Sequence, residues 1–217
     1  MVASTIDVRS NILFNPTLDI RQYTIPAMLG MIVYEMTLLL ASLGLTRERE
    51  IGTMEQLMIM PFRRIEIVIG KSIPPLAVTL LNYPLMLFVA INVFGTPMRG
   101  SMVLLVALTT LFMICEVGWG LLLSSIARTQ QQAVLFVFMQ AVIDVSLSGY
   151  LVPVENMPQV LSIVSNVVPL RHFFVIIRGI MLKGATLDVL MPQVLILGAL
   201  AIVIGVVAVL NLGRRVD

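Results

Sequence analysis

Three carboxylates, Glu35, Glu116 and Asp144, lie inside long apolar stretches of the chain. Removing a carboxylate from water costs free energy, so we expect these side chains to face water or the interior of a helix bundle. There they could bind a proton or line a path for a polar solute. The plainer alternative is a structural acid that is protonated or hydrogen-bonded. The three residues share no motif, and both interpretations therefore stay open.

Other groups that could do catalysis are few. His172 is the one histidine of the chain, and a single imidazole without nearby Cys or carboxylate partners is a poor metal site. The sequence has no H-E-x-x-H and no G-x-S-x-G motif, which disfavours an intramembrane enzyme. It also has no Walker A pattern, so we expect no ATP hydrolysis by this chain. We predict no catalytic residue, no metal site and no cofactor bound by the chain itself.

The composition is that of a membrane protein. Hydrophobic residues make up 59% of the 217 residues, charged residues 12%, and the mean hydropathy is +1.01. A soluble globular domain carries about 25% charged residues. So little charge also excludes a nucleic-acid binder, which needs a basic face. The one cysteine, Cys115, lies in an apolar stretch and has no partner for an internal disulfide.

Five stretches are long enough to cross a bilayer, which takes about 20 mostly apolar residues. Lipid offers no partner for backbone N–H and C=O groups, so each stretch should be an α-helix. We place the spans at residues 24–46, 67–94, 101–126, 133–152 and 192–212.

A sixth apolar region, residues 153–191, should not cross fully. Its segment 159–182 carries two arginines near its middle and Pro169 as a helix breaker. Apolar residues nevertheless recur at helical spacing, and Gly184 marks the end of that pattern. The predicted fold is an all-α, polytopic membrane helix bundle of about five spanning helices with a re-entrant or interfacial outer helix. The apolar side of that helix holds Leu170, Phe173, Phe174, Ile177 and Met181.

Basic residues predict the orientation, because short loops rich in Lys and Arg stay in the cytoplasm. Segments 47–66, 127–132 and 213–217 lie on one side of a five-span bundle and hold seven arginines. The longer segments on the other side hold six basic residues. We therefore expect a cytoplasmic C-terminal tail, 213–217, and a transmembrane domain over 24–212.

That orientation places residues 1–23 outside, although they contain no apolar segment and no signal-peptide pattern. Arg9 and Arg21 oppose unaided translocation. The economical interpretation is an extracytoplasmic remnant that follows a missing upstream membrane helix. We therefore expect the chain to be the C-terminal portion of a longer protein.

The cytoplasmic segment 47–66 carries eight charged residues. Within it Thr53 and Gln56 match a T-x-x-Q capping box, and Glu55 stands in the first turn, where the helix dipole favours a negative charge. Pro61 ends or kinks the pattern. The sequence predicts a presented helix of about two turns. It could dock onto a partner, or it could belong to a solvated loop.

Four runs of sequence, in order and over nearly the whole chain, resemble the type-2 ATP-binding-cassette (ABC) exporter permeases. The first is RERE-IGTMEQLMIMP-FRRIEIVIGK at residues 47–71. The others are SSIARTQQQA at 124–133, SGYLVPVENMP at 148–158 and VVPLRHFFVIIRGIMLKG at 167–184.

The resemblance implies a coupling helix within 47–66 that docks into a separate ATPase subunit. It implies a permease subunit of an ATP-driven exporter in the cell membrane, the bacterial inner membrane by analogy, with ATP and Mg²⁺ bound by that partner. A second permease subunit, identical or different, would complete the pathway. The residues assigned to the coupling region are Glu48, Glu50, Gly52, Thr53, Glu55 and Gln56.

The family pattern also has a first membrane helix and an extracytoplasmic domain before the residues that match Asn15 and Pro16. This sequence lacks both. The alternative function is therefore an inactive or regulatory permease fragment.

Overall fold

Long apolar helices dominate the computed structural model, which describes residues 20–53, 63–151 and 154–213. These residues contain no β-strand, and two 3₁₀ turns, Val154–Asn156 and Ser165–Val167, supplement the helices. The α-helices in chain order are α1 Ile20–Ile51, α2 Arg64–Asn92, α3 Met102–Ile126, α4 Gln130–Leu147, α5 Gln159–Val164, α6 Pro169–Lys183 and α7 Leu187–Gly213.

Five of these helices, α1 to α4 and α7, are long and apolar enough to cross a membrane. The predicted helical bundle with five spans is thereby confirmed. Helix α1 has 32 residues and is about 48 Å long at 1.5 Å per residue, against about 30 Å of hydrocarbon. Its charged last turn can therefore project from the bilayer.

Some predicted boundaries were wrong. Helix α4 ends at Leu147 and not at 152, because Gly149 takes a left-handed backbone conformation (φ 81°) that stops the helix. Helix α7 begins at Leu187 and not at 192, and Pro192 lies inside it. A proline is tolerated in a membrane helix when neighbouring groups satisfy the freed carbonyl.

Helix α3 lies between α1 and α7, and two glycines set its distance from each. A Cβ at Gly120 would lie 2.5 Å from the Cβ of Ala41 and 2.9 Å from the carbonyl oxygen of Leu38, both in α1. A Cβ at Gly118 would lie 2.8 Å from a methyl group of Ile204 in α7. These positions allow the backbones to approach closely, as small residues do in membrane bundles.

The predicted outer helix is α6, and all five of its expected apolar residues are buried. Phe173 stacks on Phe112 of α3 with 4.1 Å between ring centroids and an interplanar angle of 4°. Gly184 ends the helix in the left-handed conformation, as predicted. The segment 159–167 meets α6 at 84°, the geometry of a re-entrant loop or of a broken span.

Polar side chains brace this bend. Arg171 donates to the carbonyl oxygen of Ser162 at 2.9 Å and contacts the hydroxyl of Ser165. His172 Nε2 lies 2.9 Å from the carbonyl oxygen of Asn166. Carbonyl groups at the end of a helix lack partners within it. Arg171, one of the two arginines that opposed a full span, therefore supplies donors that a sharp bend requires.

We predict that Gly120→Ala lowers the thermal unfolding midpoint, because its methyl group must displace the α1 backbone. Overpacking of this kind costs about 1–3 kcal/mol. The matched control is Gly198→Ala in α7, where a Cβ meets nothing within 4 Å. There the change should leave the midpoint unchanged or raise it, since alanine is the better helix former. Melting curves from circular dichroism would contradict this if both variants melted alike.

Candidate functional site

The charged end of α1 closes in a Schellman motif. Gly52 has φ 80°, and its N–H donates to the carbonyl oxygen of Arg49 at 3.2 Å. The N–H of Thr53 donates to the carbonyl oxygen of Glu48 at 3.0 Å. The hydroxyl of Thr53 also donates to the Glu48 carboxylate at 2.5 Å. These bonds fix the direction in which the chain leaves α1.

Glu48 also connects α1 to α2. Its second carboxylate oxygen lies 2.5 Å from Lys71 Nζ. Both side chains are partly exposed, so the pair contributes at most about 1 kcal/mol. The pair matters for position, because the Glu48 carboxylate binds both Thr53, where the chain leaves α1, and Lys71 in the second turn of α2.

Arg49 connects α1 to the end of α3. Its guanidinium donates to the carbonyl oxygen of Ala127 at 2.5 Å and to that of Ser124 at 3.3 Å. A cation is favoured there because the last carbonyl groups of a helix carry partial negative charge. In return, the Ser124 hydroxyl accepts from the backbone N–H groups of Leu45 and Thr46, each at 3.0 Å.

Glu50 connects α1 to the beginning of α4. Its carboxylate accepts from the Gln130 backbone N–H at 2.8 Å and from the Gln130 side-chain amide at 2.5 Å. The first N–H groups of a helix lack partners within it and attract negative charge. Glu50 therefore caps α4 from another helix. Thr129 caps α4 locally by accepting from the Gln132 N–H at 3.2 Å.

We call Glu48, Arg49 and Glu50, with the groups they bind, the α1 clasp. One helical turn thus reaches three other helices. The structure brings together four of the predicted coupling residues, Glu48, Glu50, Gly52 and Thr53. The remaining two, Glu55 and Gln56, lie outside the described residues, as does the predicted short helix between Thr53 and Pro61.

Sequence reasoning missed the partners of the clasp, which are Lys71, Ser124, Ala127 and Gln130. Three of them lie in the run SSIARTQQQA, which had been singled out for family likeness alone. The small polar residues of this run, Ser124, Ser125 and Thr129, lie at the turn between two spans. They could have indicated that another helix packs there.

The intramembrane acids separate into three environments, and the first is a hydrogen-bonded carboxylate. Asp144 of α4 is 2% exposed and accepts from the Tyr34 hydroxyl at 2.7 Å and from the Gln140 amide at 2.9 Å. Tyr34 belongs to α1, so this contact joins α1 to α4 within the apolar part of the bundle. Asp144 faces the interior, as expected.

Glu116 and Glu35 differ from Asp144 and from each other. Glu116 of α3 is fully buried, and neither of its carboxylate oxygens has a hydrogen-bond partner in the described part of the chain. Glu35 is exposed on the outer side of α1. Glu35 was expected to face water or the interior of a helix bundle, and that stays a prediction. Its neighbour Tyr34 points inward, and one residue along a helix turns the side chain by about 100°.

We predict that Arg49→Ala speeds amide hydrogen exchange at residues 127–132 about tenfold or more. A hydrogen bond to a charged group contributes about 1.5–3 kcal/mol, and tenfold corresponds to about 1.4 kcal/mol. The control is Arg47→Ala, since Arg47 is exposed in the same turn. Exchange measured by mass spectrometry on the lipid-reconstituted chain would contradict the role of Arg49 if the two variants exchanged at equal rates.

Comparison with known proteins finds relatives with similar sequences. Over 176 residues the chain is 38% identical to the "Probable multidrug ABC transporter permease YbhR" of Escherichia coli, covering 81% of this chain and 48% of that protein. It is 32% identical to the similarly named YbhS of the same organism, over 98% of this chain and 56% of that protein. It is 30% identical to the E. coli "Inner membrane transport permease YhhJ", over 97% of this chain and 57% of that protein.

The chain thus spans about half the length of these relatives. The family model described as "ABC-2 type transporter" matches residues 6–182, which include α1 to α5 and nearly all of α6. The five apolar helices agree with that family of multi-pass membrane proteins. The resemblance stated from the four sequence runs is confirmed, and the chain belongs to the ABC-2 type transporter family.

Proposed function

We propose that this chain is a membrane permease subunit of an ATP-driven exporter, which forms part of the translocation pathway and couples to a separate ATPase subunit. Family membership supports the class of protein. The α1 clasp supports the coupling, because it joins the end of α1, which directly precedes the segment 54–62, to α2, α3 and α4.

The residues on both sides of the segment 54–62 are held by hydrogen bonds. On one side Thr53 is bound to Glu48 through backbone and side chain. On the other side the backbone N–H of Arg63 donates to the Glu66 carboxylate at 2.8 Å, which fixes the start of α2. A displacement of this segment by the ATPase subunit would therefore move α1 and α2 directly. Through Arg49 and Glu50 it also moves the end of α3 and the start of α4.

In this proposal ATP and Mg²⁺ bind to the partner, and this chain binds neither. The clasp end of the bundle lies in the cytoplasm, where the ATPase works. Its arginines support that side, since cytoplasmic loops are rich in basic residues. The tail 213–217 then lies in the cytoplasm too. A relative named as an inner membrane permease supports a bacterial inner-membrane location.

A second permease subunit completes the pathway in this proposal, and Glu35 supports it. Glu35 is exposed, and Met28 and Ile32 beside it on α1 are 50% and 48% exposed. Leaving a carboxylate against lipid at mid-membrane costs about 2.5–3.5 kcal/mol on insertion scales. A second subunit over this side of α1, enclosing a polar path, removes that cost. Glu35 would then line the pathway.

We expect Glu55→Lys to reduce co-purification of the ATPase subunit at least about tenfold, equivalent to about 1.4 kcal/mol of binding. The charge reversal places a cation in the first turn of the predicted docking helix, where the helix dipole disfavours it. The measurement is a pull-down from membranes that contain both subunits, followed by an ATP-driven transport assay.

The matched control is Asp188→Lys, the same change in charge at an exposed acid in the first turn of α7. It should bind and transport as the unmodified chain does. Unchanged binding and transport in Glu55→Lys would contradict the proposed docking. If the unmodified chain itself bound no ATPase subunit, the result would favour the alternative function, a regulatory or inactive permease fragment.

A further inference from the structure

Glu116 is a buried acid that the coupling mechanism does not use. It lies in the middle of α3 and is 0% exposed, between the buried residues Cys115 and Val117. Both carboxylate oxygens lack a hydrogen-bond partner in the part of the chain that the structure describes. A buried carboxylate is usually paired or hydrogen-bonded, so its chemical state needs an explanation.

An acid, a phenol and the thiol of Cys115 interact electrostatically with Glu116. From α4, Asp144 lies close enough to act on it electrostatically, and from α1 Tyr34 does so. Helix α7 packs against α3, and its one acidic or basic residue in the described range is Asp188, in the first turn. The dominant neighbour is therefore another acid.

The two acids have opposite environments. Asp144 accepts hydrogen bonds from Tyr34 and Gln140, so both of its carboxyl oxygens have a partner. Glu116 has no donor at all in the described residues, and a second negative charge beside Asp144 would be repelled. A proton on Glu116 removes the negative charge and the repulsion, and it leaves only the smaller cost of burying a neutral polar group without a partner. It also needs no space, which matters because the side chain is fully enclosed.

We propose that the carboxyl group of Glu116 is a proton-binding site inside the bundle, occupied when α1, α3 and α4 are packed together. When these helices part and water enters, the O–H bond breaks and the proton goes to water, leaving the carboxylate. Repacking takes a proton back from water. The burial of Glu116 and its missing hydrogen-bond donors support this site, and neither depends on the proposed transport function.

Infrared spectroscopy of the full chain in lipid nanodiscs at neutral pH tests this site. A protonated carboxyl absorbs as a C=O stretch that a carboxylate lacks. We expect such a band in the unmodified chain and its weakening in Glu116→Gln, which keeps the shape of the side chain. The control Asp188→Asn changes an exposed acid in the first turn of α7 and should leave the band unchanged. Equal acid bands in the unmodified chain and Glu116→Gln would overturn the proposal.

A second measurement leaves Glu116 in place, in case Glu116→Gln fails to fold. The Glu35→Gln chain, in which the other mid-membrane glutamate is absent, is labelled with [¹³C]carboxyl glutamate in one sample and [¹³C]carboxyl aspartate in another. We expect the acid band to shift to lower frequency with labelled glutamate and to stay in place with labelled aspartate. An acid band that follows the aspartate label, or no acid band, would overturn the proposal.

Discussion

The close approach of α1 to α3 at Gly120 is the contact on which the hydrogen bonds between the charged end of α1 and the end of α3 depend. Because Gly120 has no side chain, the backbone of α1 can lie against α3 at Ala41. One turn further along, this brings the Ser124 hydroxyl within 3.0 Å of two backbone N–H groups of α1. The same approach places Arg49 over the last carbonyl groups of α3. A wider separation would remove these contacts between the two helices.

Helix α1 therefore has two polar connections at different depths. At its charged end the α1 clasp binds α2, α3 and α4, and nearer its middle Tyr34 binds Asp144 of α4. Both connections must respond when α1 tilts. In the proposed exporter, a push on 54–62 reaches the clasp first and the Tyr34–Asp144 contact second. Parting of that second contact is what would admit water to Glu116. Coupling at one end and proton release in the core would then be two consequences of one helix movement.

The sequence predicts the parts of this structure that depend on local pattern. The five spans follow from apolar length, and α6 follows from the helical spacing that begins at Leu170 and ends at Gly184. The sequence does not predict which way a side chain points around a helix once most residues are apolar on all sides. It therefore does not predict that Glu35 lies on the exposed side of α1 while its neighbour Tyr34 is buried. The partners of Arg49 and Glu50 were missed because they lie about 80 residues away along the chain and become neighbours through packing at Gly120.

If the end of α1 and the turn between α3 and α4 move as one body, a covalent link between them leaves transport intact. Cysteines at positions 50 and 130, in a Cys115→Ala background, can be joined by a short bifunctional thiol reagent in the assembled complex with the ATPase subunit. ATP-driven transport in the linked complex should match that of the same complex treated with a monofunctional reagent. Loss of transport in the linked complex alone would show that the two move apart, and would contradict the proposed role of the α1 clasp.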